Sequence, residues 1–294
     1  MNRLVLLTTL LLACSSRPLR LLPPDSGLRD TASGDSSAEA GIVPSVSVSP
    51  SDEACALQTD GTITCWGNEY YPAPTGMFIS LSAGSSYACA VRTDNTLFCW
   101  GGDTFGETSP PPGAFTSVST GWDFACGLKT DGTIRCWGNG AHGDTTPPVG
   151  TFKAISLASR NDGYDCGIRT NGTLACWGNK AQGETQLPGG TFTSVNVGAG
   201  GCPCGVRTDG TIACCEVPAG APRILCLTPP TGPFAMISGD DHHVYYFRTD
   251  GTIVEACPDP QVAPPSGTFI SISVGSTMAC GVRADGTIYC WSII

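Results

Sequence analysis

The string CGLKTDGTIRCWGNGAHGDTTPPVGTF, residues 126–152, returns almost unchanged at 166–192 as CGIRTNGTLACWGNKAQGETQLPGGTF and at 89–115 as CAVRTDNTLFCWGGDTFGETSPPPGAF. Such copying constrains the fold more than any other feature of the chain. The turn residue of the unit stands at Asp60, Asp94, Asp131, Asn171, Asp209, Asp250 and Asp285, seven copies spaced 34 to 41 residues apart. Periods of this length belong to solenoids, propellers and arrays, in which one supersecondary unit buries its apolar face only against its neighbours.

The unit is built from strands. With 38 Gly and 23 Pro in 294 residues, turns must be frequent and elements short. Val, Ile, Thr and aromatic residues alternate with small polar ones over runs of about five, the period of a half-buried strand. Within a copy, Thr130, Asp131 and Gly132 suit a three-residue hairpin loop whose last residue is left-handed, a place glycine takes without steric cost. The flanking residues then pair as Lys129 with Thr133, Leu128 with Ile134, Gly127 with Arg135, and Cys126 with Cys136. Counted outward from the closing pair, the cysteines fall on a non-hydrogen-bonded pair, where Cα atoms approach to about 4.5 Å.

Six pairs share this spacing: Cys55 and Cys65, Cys89 and Cys99, Cys126 and Cys136, Cys166 and Cys176, Cys204 and Cys214, Cys280 and Cys290. We expect a cross-strand disulfide at each, and hence an oxidising compartment. Zinc is disfavoured, because the short ligand spacing of zinc sites is absent and the chain has only 3 His. Cys202, Cys215, Cys226 and Cys257 remain. Four cysteines allow three pairings, of which we expect Cys226 with Cys257 and Cys202 with Cys215.

Each copy has an entering strand such as FTSVS (Phe115 to Ser119), a strand through the first cysteine, the turn, and a strand ending in CWG. The third strand runs parallel to the first, so a return segment must travel back before the next copy starts. It can add a ragged fourth strand, and Pro pairs such as Pro147 and Pro148 suit an exposed edge. Arranged radially, the copies make an all-β, seven-bladed propeller of three- to four-stranded, disulfide-stapled blades. The last copy stops at CWSII, so the segment around Ala38 to Pro44 is expected to fill the vacant place and close the ring.

The opening MNRLVLLTTLLLAC has one Arg, an apolar run from Leu4 to Leu12 too short to span a bilayer, and a small residue before Cys14. It resembles a bacterial lipoprotein signal with Leu11, Leu12, Ala13 and Cys14 as the lipobox. That resemblance implies cleavage after residue 13 and acylation of Cys14, and Ser15 in the next place favours the outer membrane over retention inside. An ordinary cleaved signal would instead give a secreted protein. Residues 14–44 then form a Ser, Pro, Gly and Asp-rich tether without pattern, and 45–294 the propeller.

The run TDGTIRCWGNGAHGDTTPP is similar to the repeats of the regulator of chromosome condensation family, above all to its short bacterial version, typified by a secreted beta-lactamase inhibitory propeller. The similarity extends over Val46 to Trp291. It implies a seven-bladed platform for protein binding with no catalytic residue common to its members. The cysteines are additions, Glu107, Asp144 and Glu184 stand where the family often has Gln, and blades five and six depart at Cys215, Tyr245 and Glu255. The nuclear exchange-factor activity of eukaryotic members does not carry over to a signal-bearing acidic chain.

Arg92, Lys129, Arg169, Arg207, Arg248 and Arg283 recur two places before the turn residue, where each is expected to solvate its own hairpin. Trp66, Trp100, Trp137, Trp177 and Trp291 follow the second cysteine and are expected to pack between blades rather than to form a sugar ladder. Asp240, Asp241, His242 and His243 have metal-ligand chemistry, yet adjacent His side chains seldom share one metal, so no metal or cofactor is assigned.

A formal charge of -10 argues against a nucleic-acid partner, which requires clustered Lys and Arg. The loops after the first and third strands converge on one face and vary from copy to copy. On that face we expect a protein or glycan partner to meet Tyr70, Tyr71, Tyr87, Phe105, Trp122, His142, His242 and His243, while Phe124 and Tyr164 pack inward. The chain is read as a monomeric, non-catalytic binding module that touches the membrane only through its lipid. The competing readings are a propeller hydrolase or lyase with its site at the channel mouth and a structural envelope component.

Overall fold

The computed structural model describes residues 42–67, 72–141, 143–158, 164–178, 187–197, 203–215, 231–239, 243–256 and 264–293. They form seven antiparallel three-stranded sheets, each made from consecutive strands. The blades run from Ser45 to Trp66, Phe78 to Gly101, Phe115 to Gly138, Phe152 to Gly178, Phe192 to Cys214, Phe234 to Glu255 and Phe269 to Ser292. The first strands of successive blades touch around the whole ring, the first blade meeting the seventh. They are the inner strands of a seven-bladed propeller.

Turn chemistry builds each blade from its centre. In blade 3 the Lys129 N–H donates to the Thr133 carbonyl at 2.8 Å and the Gly132 N–H to the Lys129 carbonyl at 2.9 Å, with Gly132 at a φ of 82°. Asp131 Oδ1 accepts both the N–H and the hydroxyl of Thr133, at 2.9 and 2.6 Å. The same pair of bonds recurs at Asp60, Asp94, Asn171, Asp209, Asp250 and Asp285. From that turn the register runs Leu128 with Ile134, Gly127 with Arg135 and Cys126 with Cys136. All six predicted disulfides form, with Cα atoms 4.0 to 4.1 Å apart. In blade 6 Tyr245 faces Glu255 in the place of a bridge. Cys215 is disulfide-bonded as well. The remaining cysteines, Cys14 included, lie outside the described residues.

The core is a set of layers between blades. Tyr87, Cys89 and Val91 of blade 2 pack with Phe115, Val118 and Trp137 of blade 3, so the bridge of one blade lies against the aromatic rings of the next. The phenylalanine that opens each of blades 2 to 7 is at most 3% exposed. In blade 3 this ring lies close against the middle strand: a Cβ placed on Gly127 would stand 2.5 Å from Phe115, and glycine leaves room for the ring there. A fully buried Phe contributes about 1.5–3 kcal/mol.

Two expectations are corrected here. The return segments add no fourth strand among the described residues. Their polar groups are bonded locally instead: the Gly143 N–H to the Gly140 carbonyl, the Thr146 hydroxyl to the Gly143 carbonyl, and the Thr108 N–H to Asp103. Closure also differs. Of the segment expected to close the ring, residues 38–41 lie outside the described residues; Ile42 packs with Leu57 and Phe78 of blades 1 and 2, and Ser45–Val48 is the inner strand of blade 1, so residues 42–48 supply no strand to blade 7. The ring closes face to face, Val46, Val48 and Ala54 packing on Cys280 and Val282. Asp52 accepts the N–H and hydroxyl of Thr277 at 2.9 and 2.6 Å across this seam, and the Ser276 hydroxyl donates to the Pro50 carbonyl.

A column of serines ties the inner strands together, a feature the sequence did not suggest. Ser47 accepts the N–H of Ala83, Ser82 that of Thr120, Ser119 that of Leu157, and Ser273 that of Val48 across the seam, at 2.9 to 3.2 Å. Each of these hydroxyls thus satisfies a main-chain donor of the next blade. The signal was present as the serine that pairs with the first cysteine of a blade, as Ser82 does with Cys89 and Ser119 with Cys126.

Candidate functional site

The inner strands enclose a channel of about 180 Å³ whose wall includes Ser47, Ser82, Ser119, Asn196, Ser238 and Ser273. Among the described residues the wall carries no titratable side chain. Among the described residues no group of three His, Cys, Asp or Glu is placed to hold a metal ion.

Register fixes which loops share a face. Ala83 pairs with Ala88 and Tyr87 with Gly101, so the loop after the inner strand and the segment after the outer strand leave blade 2 at the same end. The Gly102 N–H donates to the Ser86 carbonyl at 2.8 Å and joins the two. The hairpin turns lie at the opposite end. Phe105 and Trp122 therefore belong to one face, at 53% and 44% exposure.

Both are held on pinned backbone. The Phe105 N–H donates to Glu107 Oε2 at 2.7 Å, and the Glu107 carbonyl accepts the Trp137 indole N–H at 2.7 Å from the next blade. Trp122 sits between Gly121, whose N–H donates to the Phe124 carbonyl at 2.8 Å, and Asp123, whose carboxylate accepts the Asn139 amide at 2.7 Å. Glu107 and Asp123 are 3% and 6% exposed, so the aromatic rings stand out above buried carboxylates.

The other expected contact residues divide. Tyr87 is not on the surface: it is 1% exposed, and its hydroxyl donates to the Phe124 and Gly121 carbonyls of blade 3. Burial, with Glu107 and Asp123 nearby, pushes this phenol well above its usual range and keeps it a donor. His243 is half-buried at the start of the middle strand of blade 6. Tyr70, Tyr71, His142 and His242 lie outside the described residues, as do Asp240, Asp241 and Glu184. Phe124 and Tyr164 are buried, and Trp137 and Trp177 pack between blades with their indole N–H groups on the Glu107 and Asp144 carbonyls.

The basic column behaves otherwise than expected. Only Lys129 bonds its turn aspartate, at 3.0 Å. Arg169, Arg207, Arg248 and Arg283 lie 5.1 to 6.0 Å above the opening Phe ring of their own blades, and Arg92 lies 4.5 Å above Phe98. Guanidinium planes favour aromatic faces, and the short turn directs the aspartate to its Thr instead.

The profile of the regulator of chromosome condensation (RCC1) repeat matches residues 78–107 and 115–144. Blades 2 and 3 are similar to RCC1 repeats. Each match starts at the opening Phe and ends at the acid, Glu107 or Asp144, whose carbonyl receives the next blade's indole. The RCC1 unit thus includes the loop that carries Phe105. No curated protein matches the sequence. Among solved structures, the chain is similar to the CRINKLY WD40 ectodomain of the Arabidopsis thaliana receptor kinase ACR4, with 21% identity, 84% of this chain and 94% of that one covered, and a TM-score of 0.68. The entire ectodomain of the Physcomitrella patens receptor kinase CR4 gives 20% identity, 85% and 72% coverage, and 0.69. The WD40 propeller domain of Doa1 gives 14% identity, 88% and 95% coverage, and 0.55. At these identities the likeness is one of fold.

Proposed function

We propose that this chain is a non-catalytic, extracytoplasmic propeller, tethered to a membrane through Cys14, that binds a protein through its loop face. The observation that carries the reading is the pair Phe105 and Trp122: large aromatic side chains left in water on rigid loops of adjacent blades, in a molecule that buries the opening Phe of six blades. Exposed aromatics on preorganised backbone are what binding hot spots are made of, because little ordering entropy opposes their burial. The disulfides suit an oxidising compartment, and a receptor ectodomain shares the fold.

Partner capture by the purified protein, followed by identification, tests the face. Trp122→Ala and Phe105→Ala are each expected to weaken binding of the captured protein at least ten-fold, with an unchanged melting temperature. Unchanged affinity in both variants would sink the loop-face reading, and capture of glycan alone would replace protein by sugar. The tether is tested separately. Cys14→Ala is expected to move the protein from the membrane fraction to the soluble one, and retention in the membrane fraction would refute lipidation.

A further inference from the structure

Among the described residues charge is divided between the two ends of the blades. Among the described residues every Lys and Arg lies in the hairpin half: six end the middle strands, Arg135 is second in the outer strand of blade 3, and Lys153 is second in the inner strand of blade 4. Six turn aspartates balance them there. The loop half carries Asp52, Glu53, Asp103, Glu107, Asp123 and Asp144, with Asp165 and Glu255 one step deeper in the strands, and among the described residues it has no Lys or Arg. Burial pushes the Asp165 carboxyl up, so that group adds least to the charge. Asp103, exposed beside Phe105, is steadied by the Thr108 N–H on its Oδ1 at 2.9 Å.

We infer that the loop face takes a basic protein surface, whose Lys and Arg side chains lie against Trp122 and Phe105 with the surrounding carboxylates as counter-charges. The inference rests on the loop face being the binding face and adds the chemistry of the partner. Two properties of the face agree on it. A cation is attracted to an aromatic face, most strongly to Trp, and the attraction grows when carboxylates nearby raise the local negative potential. A basic partner also meets no like charge among the described residues, whereas an acidic protein or an anionic lipid surface meets the carboxylates of that half. Complementarity of this kind acts first on the rate of encounter, and salt weakens it because the Debye length at physiological ionic strength is about 8 Å.

Three synthetic 15-residue peptides test the inference on the full chain in detergent. They share length and apolar positions and carry Lys and Arg, Asp and Glu, or Ser at the remaining places. The basic peptide is expected to bind at least ten-fold more tightly than the Ser peptide at 20 mM salt, and to lose most of that margin at 300 mM. Trp122→Ala and Asp103→Asn should each reduce its affinity, the second about three-fold. Asp209→Asn, on the opposite face and matching the Asn171 found in the neighbouring blade, should leave it unchanged. Equal binding of the three peptides, or preference for the acidic one, overturns the basic partner; if Trp122→Ala still abolishes that binding, the loop-face reading survives alone. Strong binding of the basic peptide that Trp122→Ala and Asp103→Asn leave intact overturns both.

Discussion

Reducing the disulfides in mild denaturant is expected to unfold the propeller outright. Each bridge spans 10 residues, and a loop that short, held closed in the unfolded chain, contributes about 2.5 kcal/mol on the chain-entropy account. Six of them amount to about 15 kcal/mol, the scale of a whole domain's stability. The cysteines of blade 3 are typical in their position: Cys126 is fully buried and packs with Phe124 and Trp177. The first cysteine of every bridge is buried and its partner is in most cases partly exposed, so mild denaturant speeds access to the buried sulfur through local opening. Urea melts followed by tryptophan fluorescence should show the midpoint collapsing in reductant. An unchanged midpoint after complete reduction would show that the bridges are ornamental. Removing one pair, Cys126→Ala with Cys136→Ala, should lower stability by only about 2–3 kcal/mol and keep the fold. Blade 6 shows that a blade stands without a bridge, with Tyr245 opposite Glu255.

The second large effect lies in acidity. Asp165 is fully buried in blade 4; its Oδ1 accepts the Ala158 N–H at 3.0 Å, and its Oδ2 has no hydrogen-bond partner among the described residues. In blades 2, 3 and 7 the corresponding N–H donates to a main-chain carbonyl, and the carboxyl substitutes for that carbonyl here. Desolvation first, then a nearby Asp144, raises the Asp165 carboxyl well above the usual carboxylate range. The native state thus binds the proton more tightly than the unfolded chain. Stability from this group is complete below the pH at which an ordinary aspartate titrates, and falls as pH climbs from there through the raised native value. Each pKa unit of that shift is about 1.4 kcal/mol, more than a typical hydrogen bond. The turn aspartates act in the opposite sense. Thr hydroxyls and N–H groups lower Asp60, Asp94, Asp131, Asp209, Asp250 and Asp285, so their contribution is present above the ordinary carboxylate range and lost as pH falls. The native protein should therefore melt highest near pH 4 to 5, within about a unit of an ordinary carboxyl's titration. Asp165→Asn, which keeps the acceptor for Ala158, should raise the melting temperature at pH 7 and move the maximum toward neutrality. A variant less stable than the parent at pH 7 would refute the account.

Local chemistry was legible in the chain and direction was not. The Asp-Gly hairpin, its register and the cysteine pairing follow from residues within ten positions of one another, so a single string determined them. Tyr87 was misplaced because its number along the loop was weighed above its column: it stands two before a cysteine, as Phe124 and Tyr164 do, and all three point inward. The arginines were assigned to their nearest aspartates because sequence proximity hides the cross-strand neighbour, the opening Phe, 14 to 17 residues earlier in four of the blades. The serine column and the face-to-face seam are contacts between blades, which no repeat reveals on its own. Trp122 and Phe105 were identifiable because variation in a constant frame singles them out, Ser85 and Ser276 standing where Trp122 does.

Because each sheet is one unbroken stretch of chain, a blade is also a unit of inheritance. Duplicating or deleting some 34 to 41 residues would add or remove an entire sheet without splitting another. Blade 6 stands in the same way without a cysteine pair, Tyr245 facing Glu255 while its ring packs against Trp291 of blade 7. A ring whose sheets share no strand lets its blades diverge one at a time, and a recognition surface assembled from several of them can be rewritten piece by piece while the wheel stays closed.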